Sequence, residues 1–596
     1  MMKRLPSRDE IDGKYKWRLE DIYGNDALWE EDYGKAYSLI EKAESFRGGI
    51  DISNVPDVLK ARDEAFMLVE RLYSYARMRK DEDNTKAVYQ GLADRAMSLY
   101  VEASGRLSFI EPEILKLPGD ELLNRANEDA GMKVYRHYIE NLVRQKDHIL
   151  DAEKERILAE AQEALSSPGD IYRMLTDADL RFPVIKDENG EEVELSKGRY
   201  SKMISSFDRQ VRENAFKALH TTYGSYINTI AASMRANIKA DIFNKNQRRF
   251  NSSLEASLFQ DNIPVRVYDD LIDTVNERLP LMYRYVSLRK RALGLNEIHL
   301  YDMYVPLVRE YDREFTYEEA RDIVLEGLRP LGDEYLDIVK EGFESGWIDV
   351  YETRGKTSGG YSSWAYGVHP YILLNYQGKL DDVFTLAHEM GHSVHTYYSD
   401  KAQPFIYKSY PIFLAEIAST CNEALLINHL LDKSGSKEEK MYLLNHFMDQ
   451  YRSTLFRQTM FAEFEKITHG MAEAGEPLTP DTLCNVYHDL NAKYFGPDAV
   501  IDKEISYEWA RIPHFYNSFY VYKYATGFSA AIALSQIILR DGKRAVDNYT
   551  EFLKSGGSDY PLNILKRTGV DLTVPEPIYD ALDFFERLLD EFEKLI

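Results

Sequence analysis

TLAHEMGHSVHTYY, residues Thr385–Tyr398, is the stretch from which the rest of the chain is read. Around it Val383, Leu386, Ala387, Met390 and Val394 recur at helical spacing, with no proline before Pro404, which predicts a helix of about four turns. Asp381 and Asp382 stand ahead of it as N-cap candidates. Residues four apart on a helix share a face, so His388 and His392 can present two imidazoles to one metal ion. Glu389, rotated by about 100° from His388, is better placed beside a metal-activated water than on the metal. Gly391 leaves room for another segment to come close.

The H-E-x-x-H spacing suits zinc, which favours borderline nitrogen ligands and, in catalytic sites, keeps one position open beside three protein ligands. The third ligand has to come from elsewhere. Pro411 can open a helix over PIFLAEIASTCNEALLINHL, where Glu416, Ser419 and Glu423 fall at i, i+3 and i+7 on one face. Two carboxylates on an otherwise apolar helix call for partners. One is expected on the metal and the other behind a histidine as its acceptor, and spacing alone does not order the two. His395 lies two turns from His388, too far along the axis to share its ion, and is expected to pack. The longer histidine pattern of the metzincins fails, because His395 and Tyr398 occupy its next glycine and histidine positions. Glu389-x-x-His392 is also an E-x-x-H pair, but a di-iron bundle needs a second one, and the sequence has none.

The 596 residues are 44% apolar and 29% charged, ordinary for a globular protein with several domains' worth of core. A net charge of −25 argues against nucleic-acid binding, since phosphate is repelled by such a surface. Two cysteines provide no disulfide framework. The N-terminus lacks the apolar run of a secretory signal, and the longest apolar stretch, Phe528–Leu539, is too short to span a bilayer. These features predict a cytoplasmic protein with no membrane association.

Residues 1–180 carry helical amphipathic patterns with aromatic anchors at Trp17, Tyr23 and Trp29. The stretch FPVIKDENGEEVELS, 182–196, predicts a hairpin turning at Asn189-Gly190. A boundary is placed there, dividing a helical region 1–197 from a catalytic domain 198–596. Helical patterns resume from Gly198 to about Leu295, and His299–Pro306 has the composition of a short strand, with His299 structural. GKTSGGYSSWAYG, 355–367, is followed by the strand-like HPYILLNYQ, 369–377. Gly359 and Gly360 are either part of a plain hairpin or the place where an extended peptide backbone pairs with a sheet edge. Near the C-terminus, RIPHFYNSFYVYKYATGF gathers His514, Tyr516, Tyr520, Tyr522 and Tyr524. They form either an amphipathic core helix or a set of donors for a developing oxyanion.

KYKWRLEDIYG, SSLEASLFQDNIP, LYDMYVPL, GKTSGGYS, TLAHEMGHSVH, FLAEIAST and RIPHFYNSFYVYKYATG together resemble the oligoendopeptidase F group of the thimet oligopeptidase family of zinc metallopeptidases, along nearly the whole chain. The resemblance implies a mostly α fold, a helical ellipsoid with a deep substrate channel and a small β-sheet beside the zinc helix. It implies one Zn²⁺ per chain on His388, His392 and Glu416, which orders Glu416 over Glu423, and Glu389 as general base. It makes His514 a substrate-facing histidine and Tyr522 the best match for the oxyanion tyrosine. The interval from the histidine is shorter than in the thimet oligopeptidase branch, which leaves Tyr520 or Tyr516 as alternatives and substrate contacts. The implied activity is hydrolysis of internal bonds in short unfolded peptides, with zinc-activated water as nucleophile. A zinc carboxypeptidase of similar build is the nearest rival.

Overall fold

The amphipathic patterns of the first 180 residues fold into helices, beginning with Asp26–Glu44, Val55–Glu82 and Ala87–Leu107. Their apolar stripes meet: Trp29 and Ile40 of the first, Leu59, Val69 and Leu72 of the second, and Ala96 and Leu99 of the third are all buried. The computed structural model describes residues 4–308 and 313–596, apart from the side chain of Ala152. Helix dominates, as the sequence pattern and the resemblance both imply, and the strands are few and short. No helix among the described residues is long and apolar enough to cross a membrane.

The chain packs into two compact units, each built from three separate segments. The first comprises Met1–Ile149, Arg313–His429 and Leu534–Gly569; the second Leu150–Asp312, Leu430–Ala533 and Val570–Ile596. The expected hairpin is present, β1 (Val184–Lys186) pairing antiparallel with β2 (Glu192–Glu194), and it lies inside the second unit.

The first unit contains the main sheet. β4 (Ile348–Tyr351) and β5 (Tyr361–Ser363) flank the central β6 (Tyr371–Tyr376), parallel to β4 and antiparallel to β5. β6 is nearly all buried because its Tyr371 and Leu373 join the core of the N-terminal helices. Charge ties the same layers together. Arg8 bridges Asp349 on β4 and Glu82 at the end of the Val55–Glu82 helix, and Glu82 also accepts from the Trp17 indole at 2.8 Å.

In the second unit the expected strand at His299 shrinks to two residues. β3 (Ile298–His299) pairs in parallel with β7 (Ala499–Val500), and Leu300–Met303 turns into a 3-10 helix. Its cause is Asp302, whose carboxylate accepts from the His299 N–H and is buried between Arg209 and Arg212. His299 is structural, as expected, with Nδ1 3.0 Å from Asp502.

Candidate metal centre

The helix bearing His388 and His392 runs Leu380–Ala402, 23 residues and longer than the four turns expected. Asp381 and Asp382 do not cap it; both lie in its first turn. The chain turns one step earlier, at Gly378, whose φ is +84° and where a Cβ would come within 3.1 Å of the Phe315 carbonyl. Lys379 is the N-cap, and the Asp382 carboxylate reaches back to accept from the Lys379 and Gln377 N–H groups at 2.8 and 3.1 Å. Acidic groups in this turn also suit the positive end of the helix dipole.

The second helix of the site begins at Ile412, one residue after Pro411, and runs to Lys433. It crosses the first at Gly391. A Cβ there would stand 2.6 Å from the Ser419 Cα and 2.9 Å from the Ala418 carbonyl, so only glycine permits this approach. Buried Asn422 fastens the crossing by donating to the Ala387 carbonyl at 3.1 Å, and Tyr335 in turn holds Asn422 at 2.9 Å.

That crossing brings three donors together. The Glu416 Oε2 lies 3.3 Å from His388 Nε2 and 3.5 Å from His392 Nε2, and the ligand atoms of the three residues all fall within 4.8 Å of one another. It is the one such group of metal-ligating residues among those described. The donor set, two imidazole nitrogens and a carboxylate oxygen, suits a borderline divalent cation. Glu423 takes the other nitrogen, its Oε1 2.6 Å from His388 Nδ1, which leaves Nε2 to face the group. A metal histidine is commonly oriented in this way by a carboxylate behind it.

The electrostatics fit a cation. Burial alone would lower the His388 pKa, but hydrogen bonds to Glu416 and Glu423 raise it to about 10 in the metal-free protein. Burial would likewise raise that of Glu416, yet the two histidines hold its carboxyl well below the usual range. Glu389 differs. It is 8% exposed, its Oε2 has no hydrogen-bond partner, and burial raises its pKa above the ordinary carboxylate value against the pull of both histidines. A buried carboxylate with an uncommitted oxygen beside a metal-competent group can take up and release a proton.

The small sheet lies beside this helix, as expected. Ser362 on β5 and Ser393 share a hydrogen bond of 2.9 Å. A Cβ on Gly360 would meet the Leu373 carbonyl at 3.5 Å and Glu389 Oε1 at 3.7 Å. Gly359, with φ +87°, has open space where its Cβ would be, and its carbonyl is held by Asn375 at 2.8 Å. His395 is fully buried and stacks on Tyr410 at 3.6 Å, apart from the donor group.

The remaining candidates lie in the second unit. His514 is exposed, with its ring 6.4 Å from that of Tyr520 and 6.1 Å from that of Tyr524, while the rings of Tyr520 and Tyr524 are 5.4 Å apart. Tyr516 stacks on Tyr172 at 4.5 Å. Tyr522 is fully buried, its ring 5.1 Å from that of Tyr268. Tyr524 had a signal in the sequence, since it falls four residues after Tyr520, at helical spacing.

Residues 202–584 match the profile of peptidase family M3, and residues 113–182 that of oligopeptidase F. Oligopeptidase PepF of Bacillus subtilis is 47% identical over 595 residues, covering all of this chain and 89% of that protein. An oligoendopeptidase F homolog of Lactococcus lactis is 40% identical, covering 99% and 98% of the two chains. The crystal structure of oligoendopeptidase-F from Enterococcus faecium superposes with a TM-score of 0.75 at 40% identity, over 96% of this chain and 99% of that one. With its metal-competent His388–His392–Glu416 group and a family match over more than half its length, the chain belongs to peptidase family M3 and is a metalloendopeptidase of the oligoendopeptidase F type.

Proposed function

We propose that the protein hydrolyses internal peptide bonds of short, unfolded oligopeptides, with one Zn²⁺ held by His388, His392 and Glu416. The observation that carries this is the pairing of the three-donor group with Glu389, whose Oε2 is buried and uncommitted. Zinc, when bound, supplies a Lewis acid that polarises the scissile carbonyl and acidifies water. Glu389 takes the proton from the attacking water as its oxygen adds to the carbonyl carbon, then delivers it to the amine nitrogen as the C–N bond breaks. Glu423 keeps a proton on His388 Nδ1 and so presents the Nε2 lone pair as the ligand.

Gly359 and Gly360 would admit the substrate backbone beside β5, an edge strand of its sheet. His514 would donate to the developing oxyanion. Among the tyrosines, Tyr520 and Tyr524 stand with His514, whereas the buried Tyr522 supports the start of its helix, and Tyr516 is a further substrate contact. The family matches, one ending at 182 and the other starting at 202, support a division of the sequence into 1–197 and 198–596. Both cysteines are free thiols, in keeping with a reducing, cytoplasmic compartment.

The test is mass spectrometry of products from an end-blocked short peptide, with and without a chelator, beside a folded protein substrate. Internal cuts abolished by the chelator and restored by zinc, with the folded protein intact, are expected. Trimming of unblocked peptides from one end alone would move the assignment to a carboxypeptidase.

A further inference from the structure

In the second unit, the segment carrying His514, Tyr520 and Tyr524 turns at Phe519, whose φ is +60°. A bulky residue enters this left-handed region only when its surroundings hold it there. The group that holds it is on the Arg457–Glu473 helix. Glu465 is buried, and its Oε1 accepts from the Phe519 N–H at 2.8 Å. Its Oε2 is also buried and has no hydrogen-bond partner. The Phe519 ring packs 4.4 Å from that of His469, one turn further along the same helix. His469 Nε2 lies 3.2 Å from Asp241, which accepts from Ser518 at 2.7 Å. Two successive residues of the turn, Ser518 and Phe519, are therefore each tied by a carboxyl group to a packed helix.

That carboxyl group is a costly choice if stability were its only purpose, because one of its oxygens forgoes every hydrogen bond it made in water. Burial favours the neutral acid and lifts its pKa well above the ordinary value, against the pull of the Phe519 N–H, which lowers it. What the contact does fix is direction. Tyr520 follows the turn directly, and its carbonyl accepts from Lys523 in the first turn of the Tyr522–Asp541 helix. The turn at Phe519 thus sets where that helix starts and which way Tyr520 and Tyr524 face.

We propose that Glu465 is a positioning residue for the reaction, its carboxyl group clamping the Phe519 amide so that His514, Tyr520 and Tyr524 are held in the orientation that serves the substrate. The assignment rests on the donor role given above to this segment.

The test uses the zinc-loaded enzyme and the end-blocked peptide. Glu465→Met, which removes the acceptor at similar volume, is expected to lower kcat by about 10–100-fold with little change in KM, as misplaced groups do. Zinc content should be unchanged, and amide exchange across residues 514–524 should accelerate. Glu465→Gln, a neutral side chain that keeps the acceptor, should restore both kcat and slow exchange. If Glu465→Met does not fold, Ser518→Ala loosens the same turn, and faster exchange with lower kcat is again expected. Full kcat, or unchanged exchange over 514–524, in the loosened variant overturns the proposal. His514→Gln and Tyr524→Phe separate the two assignments. If both keep full turnover while Glu465→Met loses it, the donor role fails and the positioning role falls with it; if both are impaired and Glu465→Met is not, only the positioning role is lost.

Discussion

Each unit holds a buried glutamate, Glu389 in the first and Glu508 in the second, and their surroundings behave in opposite ways. In the second unit Glu508 is sealed. Arg457 donates to its two oxygens at 2.8 and 3.3 Å, Arg511 at 3.1 Å, and the Tyr487 hydroxyl at 2.6 Å. Burial would raise its pKa, but Arg457 and then Arg511 hold it well below the carboxylate range. Its hydrogen-bond partners are permanent cations and one hydroxyl, and the imidazole of His220, 4.0 Å away, is kept neutral at pH 7 because burial lowers its pKa to about 4. In the first unit the partners of Glu416 and Glu423 are imidazoles, which can give up protons and bind a metal, and Glu389 keeps an oxygen free. Burying a carboxylate therefore does not make a site; partners that can change their protonation do.

The sharpest way to break the comparison is to neutralise one carboxylate in each cluster. Glu389→Gln should lower kcat by about 10²–10⁴-fold, with zinc stoichiometry and melting temperature close to wild type. Turnover at the wild-type rate would remove Glu389 from the chemistry. Glu508→Ala should do the reverse. It strands Arg457 and Arg511 without their carboxylate, at a cost of about 3–5 kcal/mol, read as a lower denaturant midpoint, while the folded fraction still binds zinc. A Glu508→Ala protein of unchanged midpoint would mean that the sealed cluster is not structural.

Glu423→Gln probes the boundary between the two behaviours, because Glu423 touches a ligand and not the metal group itself. Loss of the carboxylate behind His388 should weaken zinc binding by about 10–100-fold, measured by competition with a chromophoric chelator. Stability of the metal-free protein should also fall slightly, because the charge-assisted hydrogen bond from His388 Nδ1 is replaced by a neutral one.

The first cluster was largely legible in the sequence and the second was not. His388 with His392, and Glu416 with Glu423, lie on two helices at spacings that the helical repeat places on single faces, so local periodicity sufficed. Gly391 even marked where those helices cross. Arg457, Arg511, Tyr487 and His220 reach Glu508 from separate segments, and no spacing announces a contact made only by tertiary packing. The same limit explains the tyrosines. Tyr522 and Tyr524 differ by two residues, and which of them faces inward depends on the turn at Phe519, held by a glutamate 54 positions earlier. The helix start was misplaced for a related reason: the turn at Gly378 answers to the Phe315 carbonyl, more than 60 residues away.

Proton uptake gives the finest separation between the clusters. In the metal-free protein His388 stays protonated on both ring nitrogens up to about pH 10, Nδ1 facing Glu423 and Nε2 facing Glu416. A metal ligand must be neutral at the donating nitrogen. Zinc binding at pH 7 should therefore expel about one proton from His388 Nε2, and affinity should rise about tenfold per pH unit between pH 7 and 9. Calorimetric titrations in two buffers of different ionisation enthalpy count that proton directly; a count of zero would contradict the pairing of His388 with both carboxylates. In Glu423→Gln, with one of those carboxylates gone, fewer protons should be released at pH 7. Over the same range the Glu508 cluster exchanges none, because its carboxyl has a lowered pKa. Its contribution to stability is full above the unfolded value of 4.5 and is lost only as the pH falls through the lowered folded one. A protein whose metal affinity climbs with pH while the worth of its Glu508 cluster stays flat has one cluster built to exchange protons and another built to keep them out.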